Sequence, residues 1–149
     1  MSVTQRMDIA TAAPEGHRAV LNLDKYVRAN VDHQMLALIK LRASMTNGCA
    51  FCVDMHTRDA LAEGEDSRRL FAVATWREAP FFSEQERAAL ALTDEVTELG
   101  PHGVSEEVWD QAASFWNEKE LADILLAIAT INVWNRTSVA THKQPPTRV

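Results

Sequence analysis

The sequence predicts an all-α single domain, a bundle of about six or seven helices joined by short connections. Apolar residues recur at spacings of three and four through one segment after another. Ala, Leu, Glu and Arg dominate, and no run alternates apolar with polar as a half-buried strand would. Helix-start and helix-stop residues fall between the periodic segments.

Residues Met1 to Ala13 lack apolar periodicity and are expected to form a flexible arm. Pro14-Glu15-Gly16 opens the first helix, with Val20, Leu23 and Val27 on one face, ending near Asn30. Asp32 caps the next, whose buried stripe is Met35, Leu38, Ile39 and Met45, and Asn47-Gly48 stops it. A helix from the cysteine pair to about Glu63-Gly64 follows, then a short one over Ser67 to Thr75. Ala79-Pro80 breaks the pattern. Ser83 and Glu86 then form a capping box ahead of Leu92, Val96 and Leu99. Gly100-Pro101-His102-Gly103 terminates that helix, and Ser105 caps one carrying Val108, Trp109, Ala112 and Phe115. Asn117 with Glu120 starts the longest apolar helix, to about Thr141, striped by Leu121, Ile124, Leu125, Ile128 and Ile131. Leu126 and Val133 lie off the stripe, which predicts burial on more than one side and hence an oligomer. The expected organisation is an arm over 1–13, a helical domain over 14–142 and a tail over 143–149.

Composition narrows the function. The chain of 149 residues is 46% hydrophobic and 24% charged, with net charge −6. No basic block is present, which argues against a general nucleic-acid or membrane-surface binder. No signal peptide is expected at the start, and Leu121 to Val133, interrupted by Asp123, is too short to span a bilayer. Two cysteines cannot staple a domain of this size. A reducing compartment, the cytoplasm, is expected, where a close cysteine pair is catalytic or metal-binding more often than structural.

That pair sits in Asn47-Gly48-Cys49-Ala50-Phe51-Cys52-Val53-Asp54-Met55-His56. On a helix, Cys49 and Cys52 are i,i+3 neighbours and Cys52 and His56 are i,i+4 neighbours, so all three share one face. Helical side chains lean toward the N-terminus, which aims the imidazole back at Cys52. A helix start and a nearby imidazole both lower a thiol pKa, so a reactive dithiol is expected, with Cys52 the better activated. A metal site of Cys49, Cys52 and His56 and an inert buried pair are the competing readings. No second Cys-x-x-Cys or His-x3–5-His completes a zinc site. His17, His33, His102 and His142 show no comparable spacing and are read as incidental. Trp76, Trp109, Trp116 and Trp134 are read as core or interface, and Asn132 and Asn135 as partners in helix–helix hydrogen bonds.

The stretch Leu41-Arg42-Ala43-Ser44-Met45-Thr46-Asn47-Gly48 through Cys49, Cys52 and His56 resembles the core motif of the carboxymuconolactone decarboxylase-like family. More narrowly it is similar to the alkylhydroperoxidase D-type (AhpD-like) branch, which carries Cys-x-x-Cys-x-x-x-His. The likeness continues through Trp76-Arg77-Glu78-Ala79-Pro80, Leu90-Ala91-Leu92-Thr93-Asp94-Glu95 and Ile131-Asn132-Val133-Trp134-Asn135-Arg136. The resemblance implies an all-helical fold assembled as a dimer, trimer or hexamer. It implies a thiol-dependent peroxidase or disulfide reductase with no cofactor or metal, acting on a hydroperoxide and restored by a dithiol reductant. By position, Cys52 would attack the hydroperoxide, Cys49 would resolve it as the Cys49–Cys52 disulfide, and His56 would relay a proton. The sequence departs from that pattern at Ala37, where the branch carries a glutamate at the acidic end of the relay; His33 and Gln34, one turn earlier, are candidate substitutes. The loss weighs against peroxidase turnover more than against dithiol–disulfide exchange. A redox-sensing oligomer and a lactone decarboxylase are the alternatives, the second disfavoured because that branch lacks the Cys-x-x-Cys pair.

Overall fold

The computed structural model describes residues 3–147. Among them run α1 (Ile9–Ala12), α2 (Pro14–Asn30), α3 (His33–Thr46), α4 (Ala50–Ala62), α5 (Ser67–Ala72), a 3-10 turn (Val73–Thr75), α6 (Glu84–Thr97), α7 (Glu106–Phe115) and α8 (Glu118–Thr141). No strand occurs among the described residues.

Local chemistry sets these boundaries. Pro14 stands at the start of α2, where its missing N–H has no intrahelical partner to lose. Asp32 accepts from the Met35 N–H at 3.0 Å and caps α3. Both halves of a capping box are formed at Ser83 with Glu86 and at Asn117 with Glu120. Ser105 caps α7. His142, with φ 57°, ends α8 in the left-handed region, and the Lys143 N–H then bonds back to Ser138 O at 2.9 Å. The segment expected as an arm carries α1, which Asp8 caps, and Arg6 donates to the carbonyls of Thr141 and Ala140.

The most enclosed helix is α3, not the longer α8. Eight of its fourteen residues are buried: Met35, Leu36, Leu38, Ile39, Lys40, Leu41, Ala43 and Ser44. One side packs on Val27 of α2, Leu92 of α6 and Ile124, Ile128 and Ile131 of α8. The other packs on Ala60 of α4, Leu70 of α5, Val73, Trp76 and Leu90 of α6. The expectation that α8 is buried on several sides is corrected within this chain: Leu126 and Val133, off its stripe, stay 39% and 38% exposed. An α-helix at the centre of a bundle meets neighbours all round, whereas one at the perimeter buries a single face. No helix among the described residues is long and apolar enough to cross a membrane.

Candidate active site at the start of α4

The turn between α3 and α4 is held from three directions. Gly48 takes φ 67°, a conformation in which a Cβ is strained. The Cys49 N–H bonds to Ser44 O at 3.0 Å. The Asn47 amide donates to Asn132 Oδ1 at 2.9 Å and Asn135 Oδ1 at 3.0 Å, both on α8. Asn135, fully buried, donates in turn to Ser44 Oγ at 2.9 Å, and Ser44 donates to Lys40 O at 2.6 Å. Asn132 and Asn135 thus bridge helices, fixing α8 to the last turn of α3 and to the residue that ends it, just before the cysteine pair.

Cys49 and Cys52 are joined as a disulfide with Cα atoms 5.3 Å apart. Cys49 is the cap residue of α4, and its sulfur accepts from the Cys52 N–H at 3.2 Å. The helix-start effect therefore falls on Cys49, where the donor is aimed at the sulfur. Cys52 has a different asset: both cysteines are almost fully buried, yet Cys52 lines a cavity of about 210 Å³ and Cys49 does not. The cavity wall adds Phe51, Met55 and His56 of α4, His17, Leu21, Asp24 and Arg28 of α2, Trp134 and Ser138 of α8, and Lys143.

His56 stands one turn beyond Cys52 and is 6% exposed. Its Nε2 is buried with no hydrogen-bond partner among the described residues. Burial, then the charges of Lys40 and Arg28, push its pKa down to about 4 against the pull of Asp24. The ring is therefore neutral at physiological pH and supplies no standing positive charge. A cationic imidazole lowering the thiol pKa is thus replaced by a neutral acceptor.

Behind His56 lies a charged cluster that the motif did not announce. Lys40, 4% exposed, donates from Nζ to Asp24 Oδ1 at 3.1 Å. Arg28 donates from Nε to Asp24 Oδ2 at 2.6 Å. Burial lowers the Lys40 pKa despite Asp24. Burial opposes ionisation of Asp24 too, but the Arg28 hydrogen bond and the Lys40 charge outweigh it and hold the carboxyl below its ordinary value. A smaller cavity, about 80 Å³, is lined by His56, Lys40, Arg28, His33 and Ala37, with Asp59 and Glu63. Ala37 and His33 therefore share a cavity with His56, and Gln34 instead donates to Glu65 at 3.1 Å.

Among residues read from sequence as incidental, His17 packs its ring against Trp134 at 5.4 Å and shares the cavity with it. A lysine inside the apolar run Met35–Leu41 was the available signal for the charged cluster. No group of three or more His, Cys, Asp or Glu among the described residues is arranged to hold a metal ion.

Comparison with known proteins places this geometry in company. The sequence model of the Carboxymuconolactone decarboxylase family matches residues 14–95. The uncharacterized protein YdfG of Bacillus subtilis strain 168 is 37% identical over 139 residues, 93% of this chain and 95% of that protein. The crystal structure of ATU0492 from Agrobacterium tumefaciens, a protein of unknown function proposed to be the antioxidant defence protein AhpD, superimposes with a TM-score of 0.94. It is 38% identical, over 97% of this chain and all of that one. The debrominase Bmp8, 23% identical, shares the fold with a TM-score of 0.81 over 92% of this chain and 74% of its own.

Proposed function

The chain belongs to the carboxymuconolactone decarboxylase family, and on that footing we propose that it is a thiol-dependent hydroperoxide reductase cycling between a Cys49/Cys52 dithiol and the Cys49–Cys52 disulfide. The observation that carries the reading is the division of labour at the start of α4. Cys52 opens to the cavity beside a neutral, unpartnered imidazole, and Cys49 is screened and capped by a backbone N–H.

In the reduced protein, His56 accepts the Cys52 proton, and the thiolate this leaves beside the ring stabilises the imidazolium that burial otherwise disfavours. The thiolate attacks the distal oxygen of the hydroperoxide; the S–O bond forms, the O–O bond breaks, and the alkoxide leaves with the proton returned from His56 as an alcohol. Cys49 then attacks the sulfenic sulfur, water leaves, and the disulfide forms. An external dithiol supplies two electrons and two protons by attacking Cys52, the sulfur the cavity admits. Cys49 departs as a thiolate eased by the Cys52 N–H, which favours this direction because a lower-pKa leaving thiol leaves faster. The need for such a reductant supports a reducing cytoplasm. The part-exposed apolar Leu126 and Val133, off the buried stripe of α8, support a homo-oligomer.

Hydroperoxide loss with a dithiol reductant, followed in wild type, Cys52→Ser and Cys49→Ser, tests the proposal. Cys52→Ser abolishes turnover. Cys49→Ser, freed of the dithiol before peroxide is added, consumes one equivalent and leaves a sulfenic acid on Cys52 that dimedone traps. Equal slow rates in wild type and Cys52→Ser overturn the peroxidase reading.

A second reading, dithiol–disulfide exchange with little peroxide turnover, is favoured by one feature. Ala37, at the position where the resemblance would put a relay acid, shares a cavity with His56, and no carboxylate among the described residues hydrogen-bonds Nε2. Rapid reduction of the disulfide by a dithiol, without dithiol-dependent peroxide loss, distinguishes it.

A further inference from the structure

The walls of the Cys52 cavity differ in kind. Leu21, Phe51, Met55 and Trp134 make an apolar side, while Arg28 and Lys143 bring cationic groups to the same space. Lys143 holds its Nζ 4.3 Å from the centre of the Phe51 ring, next in sequence to Cys52. It makes no ion pair among the described residues. Two acids lie within reach of these cations. Asp24 is bonded to Lys40 and Arg28 together, so two cations face one carboxylate. Asp8 is turned to the Thr11 hydroxyl and the Ala10 N–H, at 2.8 and 3.1 Å. The α4 N-terminus adds its positive end on the same side. His56 contributes no charge at neutral pH. A locally positive, apolar-walled space in a chain of net charge −6 is a selective field rather than a consequence of overall composition.

We propose that this cavity selects organic hydroperoxides that carry a carboxylate. The apolar body lies against Leu21, Phe51, Met55 and Trp134, and the carboxylate is drawn to Lys143 and Arg28. The inference rests on the peroxidase reading for its substrate chemistry, but the electrostatic selection belongs to the cavity whether or not peroxide turns over.

Two measurements separate these. In the Cys49→Ser variant, reduced so that Cys52 is the one thiol, alkylation is followed with iodoacetate, an anion, and iodoacetamide, its neutral counterpart. The iodoacetate-to-iodoacetamide rate ratio is expected about tenfold above that of glutathione under the same conditions. It falls toward the glutathione value on adding Lys143→Met and is retained with Lys143→Arg. A ratio equal to or below that of glutathione overturns the proposal even if no hydroperoxide is consumed. The second measurement compares kcat/KM for cumene hydroperoxide and its para-carboxylate, which share one aromatic body. The carboxylate is expected to lead by about tenfold, with Lys143→Met bringing the ratio toward one. Turnover of both at equal rates, or preference for the neutral compound, overturns the proposal while leaving the peroxidase reading intact. Absence of turnover for both, with the alkylation preference present, overturns the peroxidase reading alone.

Discussion

Asn47 on the cysteine turn donates from Nδ2 to Oδ1 of Asn135 on α8 at 3.0 Å, joining positions 88 apart in the chain. Asn135 passes the tether on to Ser44, so the last turn of α3 and the turn after it are fixed to one buried amide. A truncated partner in such a network leaves buried polar atoms unpaired, which costs more than the bond itself contributes. Asn135→Ala is expected to lower unfolding free energy by about 1–3 kcal/mol, measured by denaturant titration of the disulfide form. The same variant should raise amide hydrogen exchange at Gly48 and Cys49. Unchanged exchange there would mean the turn holds itself.

The low pKa of His56 makes stability depend on pH in a stated direction. In the unfolded chain the ring has an ordinary pKa near 6.5, and in the folded protein about 4. Between those values the unfolded state binds more protons, so stability rises with pH across the window and is lost as pH falls from 6.5 toward 4. The full effect is roughly 3 kcal/mol at one pH unit per 1.36 kcal/mol. Unfolding curves at pH 4.5 and 7.5 for wild type and His56→Gln check it. The variant should lose most of the difference between the two pH values; an identical pH dependence in both proteins would place the ring's pKa near its ordinary value.

Lys40 supplies part of that depression, after burial. Replacing it by Met removes a positive charge near the ring and frees Asp24 to pull upward on the imidazole, so both consequences raise the His56 pKa. The nuclear magnetic resonance titration of the His56 ring protons, assigned through His56→Gln, should move toward neutrality in Lys40→Met. A titration unmoved from wild type would show that Lys40 has no part in the depression, leaving it to burial and Arg28.

What the sequence disclosed, and what it hid, divides by distance along the chain. The caps at Asp32, Ser83, Ser105 and Asn117 were legible because each bonds within three residues of itself. The one-turn spacing of Cys52 and His56 was legible for the same reason, since α4 carries both; Cys49 stands outside that helix as its extended cap. The Asp24–Lys40 pair spans 16 positions and depends on how α2 crosses α3, which no local spacing encodes. Trp134 and Lys143 reach the Cys52 cavity from the far end of the chain. Lys143 in particular follows the left-handed His142, and that reversal turns the start of the expected tail back over Phe51. The central place of α3 was hidden too, because its apolar stripe reads like that of any amphipathic helix until neighbours on both sides are known.

That central place gives the last prediction. Leu41 on α3 is fully buried between α3 and the cluster of Leu70, Val73, Trp76 and Leu90. Phe71 on α5 is the larger and more apolar-looking candidate by composition, yet it is 75% exposed. Truncation of a buried leucine removes transfer energy and leaves a cavity, so Leu41→Ala should cost about 2–5 kcal/mol. Phe71→Ala, with little surface withdrawn from water, should stay within about 0.5 kcal/mol. Denaturant midpoints with unchanged slopes measure both at once. A Phe71→Ala loss comparable to that of Leu41→Ala would mean that α5 is covered in solution by a second copy of the chain. A loss that shrinks on dilution of the protein would identify that copy as the cover.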